Sequence, residues 1–416
     1  MKMTDKGGAG RRRIPASGKA VYGCLAFFVV ILNLCAWNSA AFCDWYIRYI
    51  FPIWVNTYGR LTGLFPFSVG EWMILAGVLL VVLAVVTGIV WAAVSSVTLV
   101  RRVAGRKAAG RKVVSYGFGR FARAFYRTFA WILLAVCLVM TLNCFVLYHA
   151  SPFSRQHFPE DDGEYTIREL IEVYNLVAEA CNRLSGEMKR DEEGHVIYPG
   201  SRDADGKLLD MQDMARQAMT ALGQEYPRLL GYYPRPKPMF FSDFMCQQYM
   251  QGYYFPFSME ANYNDVMYIL NQPSTMCHEL AHLRGYIYED EANFIGYLAC
   301  VKTEDPFFQY AGYLSVLDYL HNDLYRASKA GGASYEQAIL AVPPVAVSRQ
   351  VWEDNLFVSQ EEWDRINRKA WIDTEVVDKA ADAFIDTNLK VNGIADGKTS
   401  YSRVVRLLIQ YYRKNI

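Results

Sequence analysis

The chain has 416 residues, of which 52% are hydrophobic and 15% aromatic, a composition that is apolar for a purely soluble protein. Its 43 basic and 42 acidic residues nearly balance, yet the first 150 residues hold 17 Lys/Arg against 3 Asp/Glu, which leaves 26 against 39 in the remainder. An acidic domain lacks the clustered positive charge that phosphate contacts need, so nucleic acid is excluded as its partner.

Three apolar segments without any Asp, Glu, Lys or Arg cover residues 20–42, 72–95 and 128–148. Each reaches the roughly 20 residues that a helix needs to cross a lipid bilayer. We therefore predict three transmembrane helices in a membrane region over residues 1–150. A second domain is predicted over residues 151–416.

Positive charge next to the apolar segments indicates how the chain is oriented. Residues 1–19 carry six Lys/Arg and the loop 101–127 carries nine, whereas residues 43–71 carry two. Because basic segments stay in the cytoplasm, three crossings place the second domain outside it. A multi-pass protein of the cell membrane with an extracytoplasmic domain is expected. Cleavage of the first segment as a signal peptide, after the small residues 39–41, is an alternative that would not move this domain.

Most signals in the second domain are helical. Thr166 and Glu169 form a capping-box pattern that opens a first amphipathic helix. Further helices are predicted over residues 209–225, 375–391 and 400–413. The expected fold class is therefore mainly α: three transmembrane helices followed by a mostly helical domain with a small β element.

The β element is predicted in the aromatic run of residues 240–258, because aromatic residues favour strands. This run has two interpretations. It could form an edge strand beside a cleft, where it would pair with an extended peptide. Alternatively, its aromatic side chains simply belong to the hydrophobic core.

Residues 277–285 read CHELAHLRG and carry the clearest chemical signal. His278 and His282 are four residues apart, so on a helix both imidazoles project from one face and can bind a single metal ion. Glu279 lies about 100° around the helix, where its carboxylate can act as general base toward a metal-activated water. We predict a Zn²⁺ site with two histidine ligands and Glu279 as the catalytic residue. Ordinary core histidines are the alternative.

The third metal ligand is expected in the helix that follows. A metzincin would place His or Asp at position 288, where this chain has Tyr288. A gluzincin takes a glutamate from the next helix instead, and we predict Glu291 for this role, with Glu289 as the alternative. These acids could also simply favour a helix amino terminus. Asn293 is a candidate to support the site from behind the ligands.

Two features remain open in the sequence. An oxyanion donor cannot be selected among the nearby candidates, which are Tyr253, Tyr254, Tyr268, Tyr286 and His321. The nine cysteines have no regular spacing, so no disulfide framework is predicted. Cys277 and Cys300 are the obvious pair if one bond forms outside the cytoplasm, with buried free thiols as the alternative.

Several sequence blocks in one order resemble an uncharacterised family of bacterial membrane proteins, the domain of unknown function 3810. The blocks are FPFSVGEW (65–72), YYFPFSMEANYN (253–264), HELAHLRGYIYEDEANF (278–294), DTNLKVNG (386–393) and TSYSRVV (399–405). The resemblance runs from the second membrane helix to the carboxyl terminus. It implies a zincin-like peptidase domain of gluzincin type, with His278, Glu279, His282 and Glu291 in its site, and it brings no known substrate.

The expected function is that of a membrane-anchored zinc metalloendopeptidase that hydrolyses peptide bonds of exported or surface proteins. A noncatalytic metal-binding sensor or scaffold is the alternative, although structural zinc sites usually have four protein ligands and this sequence offers three. An intramembrane protease is disfavoured by the charged residues around His278, such as Arg284. Peptide or protein substrates and the lipid bilayer are the expected partners, and the oligomeric state is not indicated.

Overall fold

A computed structural model of the chain describes residues 18–103, 109–158, 164–202, 206, 208–391 and 401–415. Three of its helical segments are long and apolar enough to cross a membrane, namely Gly18–Asn38, Val69–Val97 and Gly117–His149. The three predicted membrane segments are thus confirmed in number and position. The side of the membrane on which the rest of the chain lies stays a prediction.

Two details of the membrane region differ from the prediction. The first helix, α1 (Gly18–Asn38), ends before residue 42 because Ser39 caps the next helix, its hydroxyl accepting a hydrogen bond from the Phe42 N–H at 3.1 Å. The basic segment 101–127 is not a loop where it is described. The helices over Val69–Val103 and Ala109–Met140 extend into it from both sides, because Lys and Arg are good helix formers.

Three short helices separate α1 from the long second membrane helix, α5 (Val69–Val103): α2 (Ala40–Tyr49), α3 (Phe51–Trp54) and α4 (Arg60–Thr62). Buried side chains recur along one face of this stretch, including Cys43, Tyr46, Phe51 and Val55. They belong to the same hydrophobic core as the helices that follow the last membrane helix. The connection between the first two membrane helices therefore packs with the residues after the last membrane helix, and we call the unit that shares this core the main domain.

The rest of the described chain is mainly helical. The remaining helices are α6 (Ala109–Met140), α7 (Phe153–His157), α8 (Ile167–Ser185), α9 (Met211–Glu225), α10 (Ser242–Cys246), α11 (Gln272–His282), α12 (Glu289–Val301), α13 (Pro306–Ala330), α14 (Ala333–Ala341), α15 (Arg349–Asp354), α16 (Gln360–Lys369), α17 (Thr374–Val391) and α18 (Tyr401–Asn415). The capping box predicted at Thr166 and Glu169 is present at the start of α8. The helices predicted over 209–225, 375–391 and 400–413 correspond to α9, α17 and α18.

Among the described residues, five short strands form two small sheets. A hairpin pairs β1 (Ser201–Arg202) with β2 (Leu208–Leu209), and the second sheet contains β3 (Lys237–Pro238), β4 (Gly252–Phe255) and β5 (Glu260–Tyr263). In the second sheet the strand order is β3-β5-β4, with β3 parallel and β4 antiparallel to the central strand. Strand β4 therefore lies at an edge of this sheet as described.

Only part of the aromatic run 240–258 is strand, so that prediction is too long. Residues Ser242–Cys246 form helix α10, and Tyr249 has a φ of 52°, which no extended strand can contain. Strand β4 begins only at Gly252. An aromatic composition alone could not reveal these breaks.

The sheet is joined to the start of α5. The carboxylate of Glu260 accepts hydrogen bonds from the N–H groups of Val69 and Gly70 at 3.1 and 2.8 Å, and it forms a buried ion pair with Lys237. A carboxylate at a helix amino terminus satisfies free N–H groups and interacts favourably with the helix dipole. The second membrane helix and the sheet are thus fixed to one another.

Candidate metal site

Helix α11 positions the two histidines. It begins with Pro273 in its first turn and ends at His282, and Gly285 then reverses the chain toward α12. Gly285 has a φ of +81°, and a Cβ atom there would approach the side chain of Ile47 to 3.0 Å, so glycine is required at this turn. The short connection places the start of α12 directly beside the end of α11.

His278 and His282 project from the same face of α11, as their spacing predicts. Their Nε2 atoms are 3.0 Å apart, and their ring centroids are separated by 4.6 Å. One potential ligand atom from each histidine and one from Glu279 all lie within 4.8 Å of one another. The three residues of the HExxH pattern therefore converge on one small volume.

The other ring nitrogens of the two histidines have fixed partners. His278 Nδ1 is 2.8 Å from Asn293 Oδ1, and His282 Nδ1 is 2.7 Å from the carbonyl oxygen of Tyr286. Because a carbonyl oxygen can only accept, each Nδ1 carries a proton, and in the neutral ring Nε2 then keeps a free lone pair. This is the arrangement in which protein histidines bind metals.

The two candidates for the third carboxylate, Glu291 as predicted and Glu289 as the alternative, have different surroundings. Glu289 Oε2 lies 3.1 Å from His278 Nε2, and Glu289 Oε1 lies 3.9 Å from His282 Nε2. Glu291 points elsewhere: its carboxylate is buried and accepts a hydrogen bond from the Phe153 N–H. Residues two apart on a helix project about 200° from each other, so only one of the two glutamates can face the histidines. That residue is Glu289, the alternative in the sequence analysis.

Glu279 is almost completely buried, with 3% of its surface exposed. Its Oε1 lies 3.9 Å from His278 Nε2, while its Oε2 is buried and has no hydrogen-bond partner among the described residues. Burial raises the pKa of this carboxyl group to about 8. An unsatisfied buried carboxylate oxygen next to two imidazole lone pairs fits a divalent cation, and nitrogen with oxygen donors suits Zn²⁺.

Electrostatics at the site also favour positive charge. Burial alone would lower the pKa of His278, but the hydrogen bond and charge of Glu289 raise it to about 9. Partial burial would raise the pKa of Glu289, whose side chain is 55% exposed, but the hydrogen bond and charge of His278 lower it to about 2. Burial, together with the charge of His278, lowers the pKa of His282 to about 4. The Glu289 carboxylate thus favours positive charge at His278 Nε2, the atom that would bind a cation.

Strand β4 forms a wall of the site. A Cβ atom on Gly252 would lie 2.8 Å from Glu279 Oε1 and 2.6 Å from the carbonyl oxygen of Asn262, so no larger residue fits. The Tyr254 ring lies 6.0 Å from the His282 ring, and its hydroxyl donates to the carbonyl oxygen of Asn143. The sequence analysis offered the run 240–258 as an edge strand beside a cleft but did not single out Gly252, although a glycine inside a strand is a signal of close approach.

The other candidates from the sequence have different surroundings. The Tyr286 hydroxyl donates to Gln156, the Tyr268 hydroxyl accepts from the Val196 N–H, and His321 packs against the Trp352 ring. The Tyr253 hydroxyl is buried. Cys277 and Cys300 are both buried, free thiols. None of these contacts identifies an oxyanion donor.

The separate sequence blocks meet around this site. Gly70 of the first block packs against the Phe255 ring of the second block. Tyr254 of the second block contacts His282 of the third. Gly252, which directly precedes the second block, contacts Glu279 of the third. Parts of the last two blocks, residues 392–400, lie outside the described residues. The long-range order of the blocks thus corresponds to one structural unit.

Fold and site together define a protein with three membrane-length helices and a mainly helical domain that contains a His–Glu cluster. The chain belongs to the family described as protein of unknown function (DUF3810), whose family model matches residues 46–409. The resemblance to this family is thereby confirmed. No curated protein and no solved structure matches the chain.

Proposed function

We propose that the protein is a membrane-anchored zinc metalloendopeptidase with a zincin-like domain on the extracytoplasmic side. The observation that carries the proposal is the convergence of His278 Nε2 and His282 Nε2 with the unsatisfied carboxylate of Glu279. When bound, Zn²⁺ would acidify water toward neutral pH and polarise a peptide carbonyl. His278, His282 and Glu289 are the proposed ligands.

The residues around the proposed ligands have separate roles. Asn293 and the Tyr286 carbonyl orient the two imidazoles through their Nδ1 atoms. Glu279 is the proposed general base, which accepts a proton from the attacking water and delivers it to the leaving amine. Burial raises the pKa of this carboxyl group, and the charge of a bound Zn²⁺ would lower it again, which would leave the carboxylate able to accept that proton.

Two features favour catalysis over the alternative of a noncatalytic metal-binding sensor or scaffold. Three protein ligands leave one coordination position free, whereas structural zinc sites usually use four. The Glu289 side chain is 55% exposed, so the site is open to solvent on that side. A metal that only joined α11 to α12 would not need such an opening.

Strand β4 supports a peptide as the substrate. Within the described residues it has a strand partner only on the side of β5, and it runs beside Glu279. An extended peptide could add to this edge through main-chain hydrogen bonds, which need no particular side chains. We propose that β4 binds extended segments of exported or surface proteins, the proposed substrates, in this way.

The proposed orientation depends on the basic residues of the segments 1–19 and 101–127. The three membrane-length helices do not include α11, so an intramembrane protease is not favoured. Labelling with a membrane-impermeant maleimide in intact cells tests the orientation. A cysteine introduced at the exposed Leu208 is expected to react while the unmodified protein does not, and protection of Leu208→Cys until the cells are opened would reverse the assignment.

The test of the function compares Glu279→Gln with the unmodified protein after purification and zinc loading. Zinc content is expected to persist in the variant, while cleavage of a peptide library, followed by mass spectrometry, is lost. The matched control is Glu291→Gln, which should retain both properties. Unchanged cleavage in Glu279→Gln would remove the proposed base. Tightly bound zinc without cleavage in the unmodified protein would favour the sensor or scaffold.

A further inference from the structure

Large exposed apolar side chains cluster where α5 begins. Three of them precede this helix and three lie around the start of α10; we call the group the apolar collar, and its members are Leu64, Phe65, Phe67, Phe240, Phe241 and Phe244. Leu64 is 79% exposed and Phe240 is 78% exposed. Single exposed apolar residues are ordinary, but a contiguous group of this kind marks an interaction surface.

Hydrogen bonds fix the two halves of the apolar collar to the same helix end. The carboxylate of Glu71, in the first turn of α5, accepts from the Phe240 and Phe241 N–H groups at 2.8 and 2.9 Å. On the other side, Lys237 Nζ donates to the Phe67 carbonyl oxygen at 3.0 Å. Segments about 170 residues apart in sequence are therefore held around one point, where α5 leaves the main domain.

Charged groups next to the apolar collar are paired. Lys237 forms an ion pair with Glu260, and Asp243 forms one with Arg365 at 2.6 Å. The Glu71 carboxylate accepts hydrogen bonds from the N–H groups of Phe240 and Phe241, which directly precede α10. Lys237 and Asp243 are thus paired with opposite charges and the Glu71 oxygens have hydrogen-bond donors, so covering these rings and aliphatic groups would leave these polar atoms satisfied.

We propose that the apolar collar docks the main domain on the leaflet of the bilayer that faces it. The surface is continuous with the second membrane helix, in which Trp72 is 51% exposed immediately after Glu71. Aromatic side chains are enriched at the boundary between lipid and water, where their rings contact both phases. The bilayer, and not a second protein, is therefore the partner that this surface fits. The inference does not depend on the proposed function.

Docking of the apolar collar would determine the distance of the candidate metal site from the bilayer. Phe255, next to Tyr254 in β4, packs on Gly70 in the first turn of α5. Tyr254 bridges the His282 ring and the carbonyl oxygen of Asn143, at the end of the third membrane helix. A single side chain thus separates the histidines from a membrane helix, and the site lies at the bilayer surface.

Photocrosslinking in the intact protein, reconstituted in phospholipid nanodiscs, tests this docking. Phe240→p-benzoylphenylalanine and Phe244→p-benzoylphenylalanine are irradiated, and lipid adducts are quantified by mass spectrometry. Val82→p-benzoylphenylalanine, 52% exposed within the second membrane helix, is the positive control. Leu208→p-benzoylphenylalanine is the negative control. Leu208 is 58% exposed and lies next to Gly200, which lines a surface cavity together with Lys302 after the carboxyl end of α12. Glu289, which lies beside the histidines, is at the opposite end of α12.

Lipid adducts at Phe240 and Phe244 approaching the yield at Val82, with at least about a tenfold lower yield at Leu208, are expected if the collar contacts the leaflet. Adducts at Val82 without adducts at Phe240 and Phe244 would overturn the proposal. Crosslinks from Phe240 or Phe244 to a second copy of the chain in place of lipid would also overturn it, as would equal lipid labelling at Leu208.

Discussion

Metal affinity should depend on Glu289 and not on Glu291, although the two glutamates are only two residues apart. Glu289 Oε2 lies 3.1 Å from His278 Nε2, whereas the Glu291 carboxylate accepts from the Phe153 N–H. Loss of an outer partner of a metal ligand already weakens metal binding about 10- to 100-fold. Glu289→Gln is therefore expected to weaken zinc binding at least about 100-fold, which corresponds to about 2.7 kcal/mol.

Glu291→Gln provides the matched control for this prediction. Burial raises the pKa of Glu291 to about 8, so its carboxyl group is largely protonated at neutral pH, and an amide of the same shape can still accept from Phe153. Its zinc affinity is expected to stay within about threefold of the unmodified protein, well under 1.4 kcal/mol. Competition with a chromophoric chelator measures both variants at pH 7. Weakened binding in Glu291→Gln together with normal binding in Glu289→Gln would refute the assignment.

Three further predictions concern the wall of the site, the amide that supports His278 and an ion pair at the start of α8. Gly252→Ala should reduce peptide hydrolysis at least about tenfold and destabilise the fold by about 1–3 kcal/mol, because the new Cβ would collide with Glu279 and with the main chain. Gly77→Ala, whose new Cβ would meet no atom within 4 Å, is the control in the calorimetry and cleavage assays. Normal activity in Gly252→Ala would contradict the assignment of Gly252 to the wall of the site. Asn293→Ala should weaken zinc binding about 10- to 100-fold in the same chelator competition, with an unchanged affinity as the contrary result. The hydrogen bond from Arg413, and to a smaller extent those from Thr166, outweigh burial and lower the pKa of Glu169 to about 2. The stabilising contribution of the Glu169 carboxylate is therefore present above its ordinary pKa of 4.5 and is lost as the pH falls toward 2. The melting temperature should fall more steeply between pH 6 and pH 2.5 in the unmodified protein than in Glu169→Gln, and parallel curves would contradict this prediction.

The membrane helices and the two histidines could be predicted because their signals are local. An uncharged apolar run of sufficient length specifies a membrane-length helix, and a spacing of four residues places His278 and His282 on one helical face. The capping box at Thr166 is equally local, since its donors and acceptors lie within four residues. The end of α1 was missed by four residues because the hydroxyl of Ser39 competes with an otherwise apolar helix.

The choice between Glu289 and Glu291 required information that the sequence lacks. Both glutamates lie in the first turn of α12, and which of them faces α11 depends on the angle at which the chain leaves the turn at Gly285. That angle is set partly by Ile47, which packs against Gly285 from a segment about 240 residues earlier in the chain. Rotation of α12 by half a turn would exchange the two carboxylates.

Long-range contacts explain the remaining differences. The aromatic run 240–258 resembles strand, yet the Glu71 carboxylate holds the Phe240 and Phe241 N–H groups and directs the chain into α10. In the same way, the contact of Tyr254 with Asn143 joins the site to a membrane helix more than 100 residues away. Local propensity cannot encode partners at such separations.

X-ray absorption at the zinc edge of the purified, zinc-loaded protein tests the proposed metal site most directly. The proposed ligands His278, His282 and Glu289 predict nitrogen and oxygen neighbours at roughly 2.0–2.2 Å, with the multiple-scattering signature of two imidazoles. In His278→Ala this signature should fall to that of one imidazole, or be lost together with the metal. A protein that takes up no zinc, or a zinc ion that keeps the full two-imidazole signature in His278→Ala, would contradict the account.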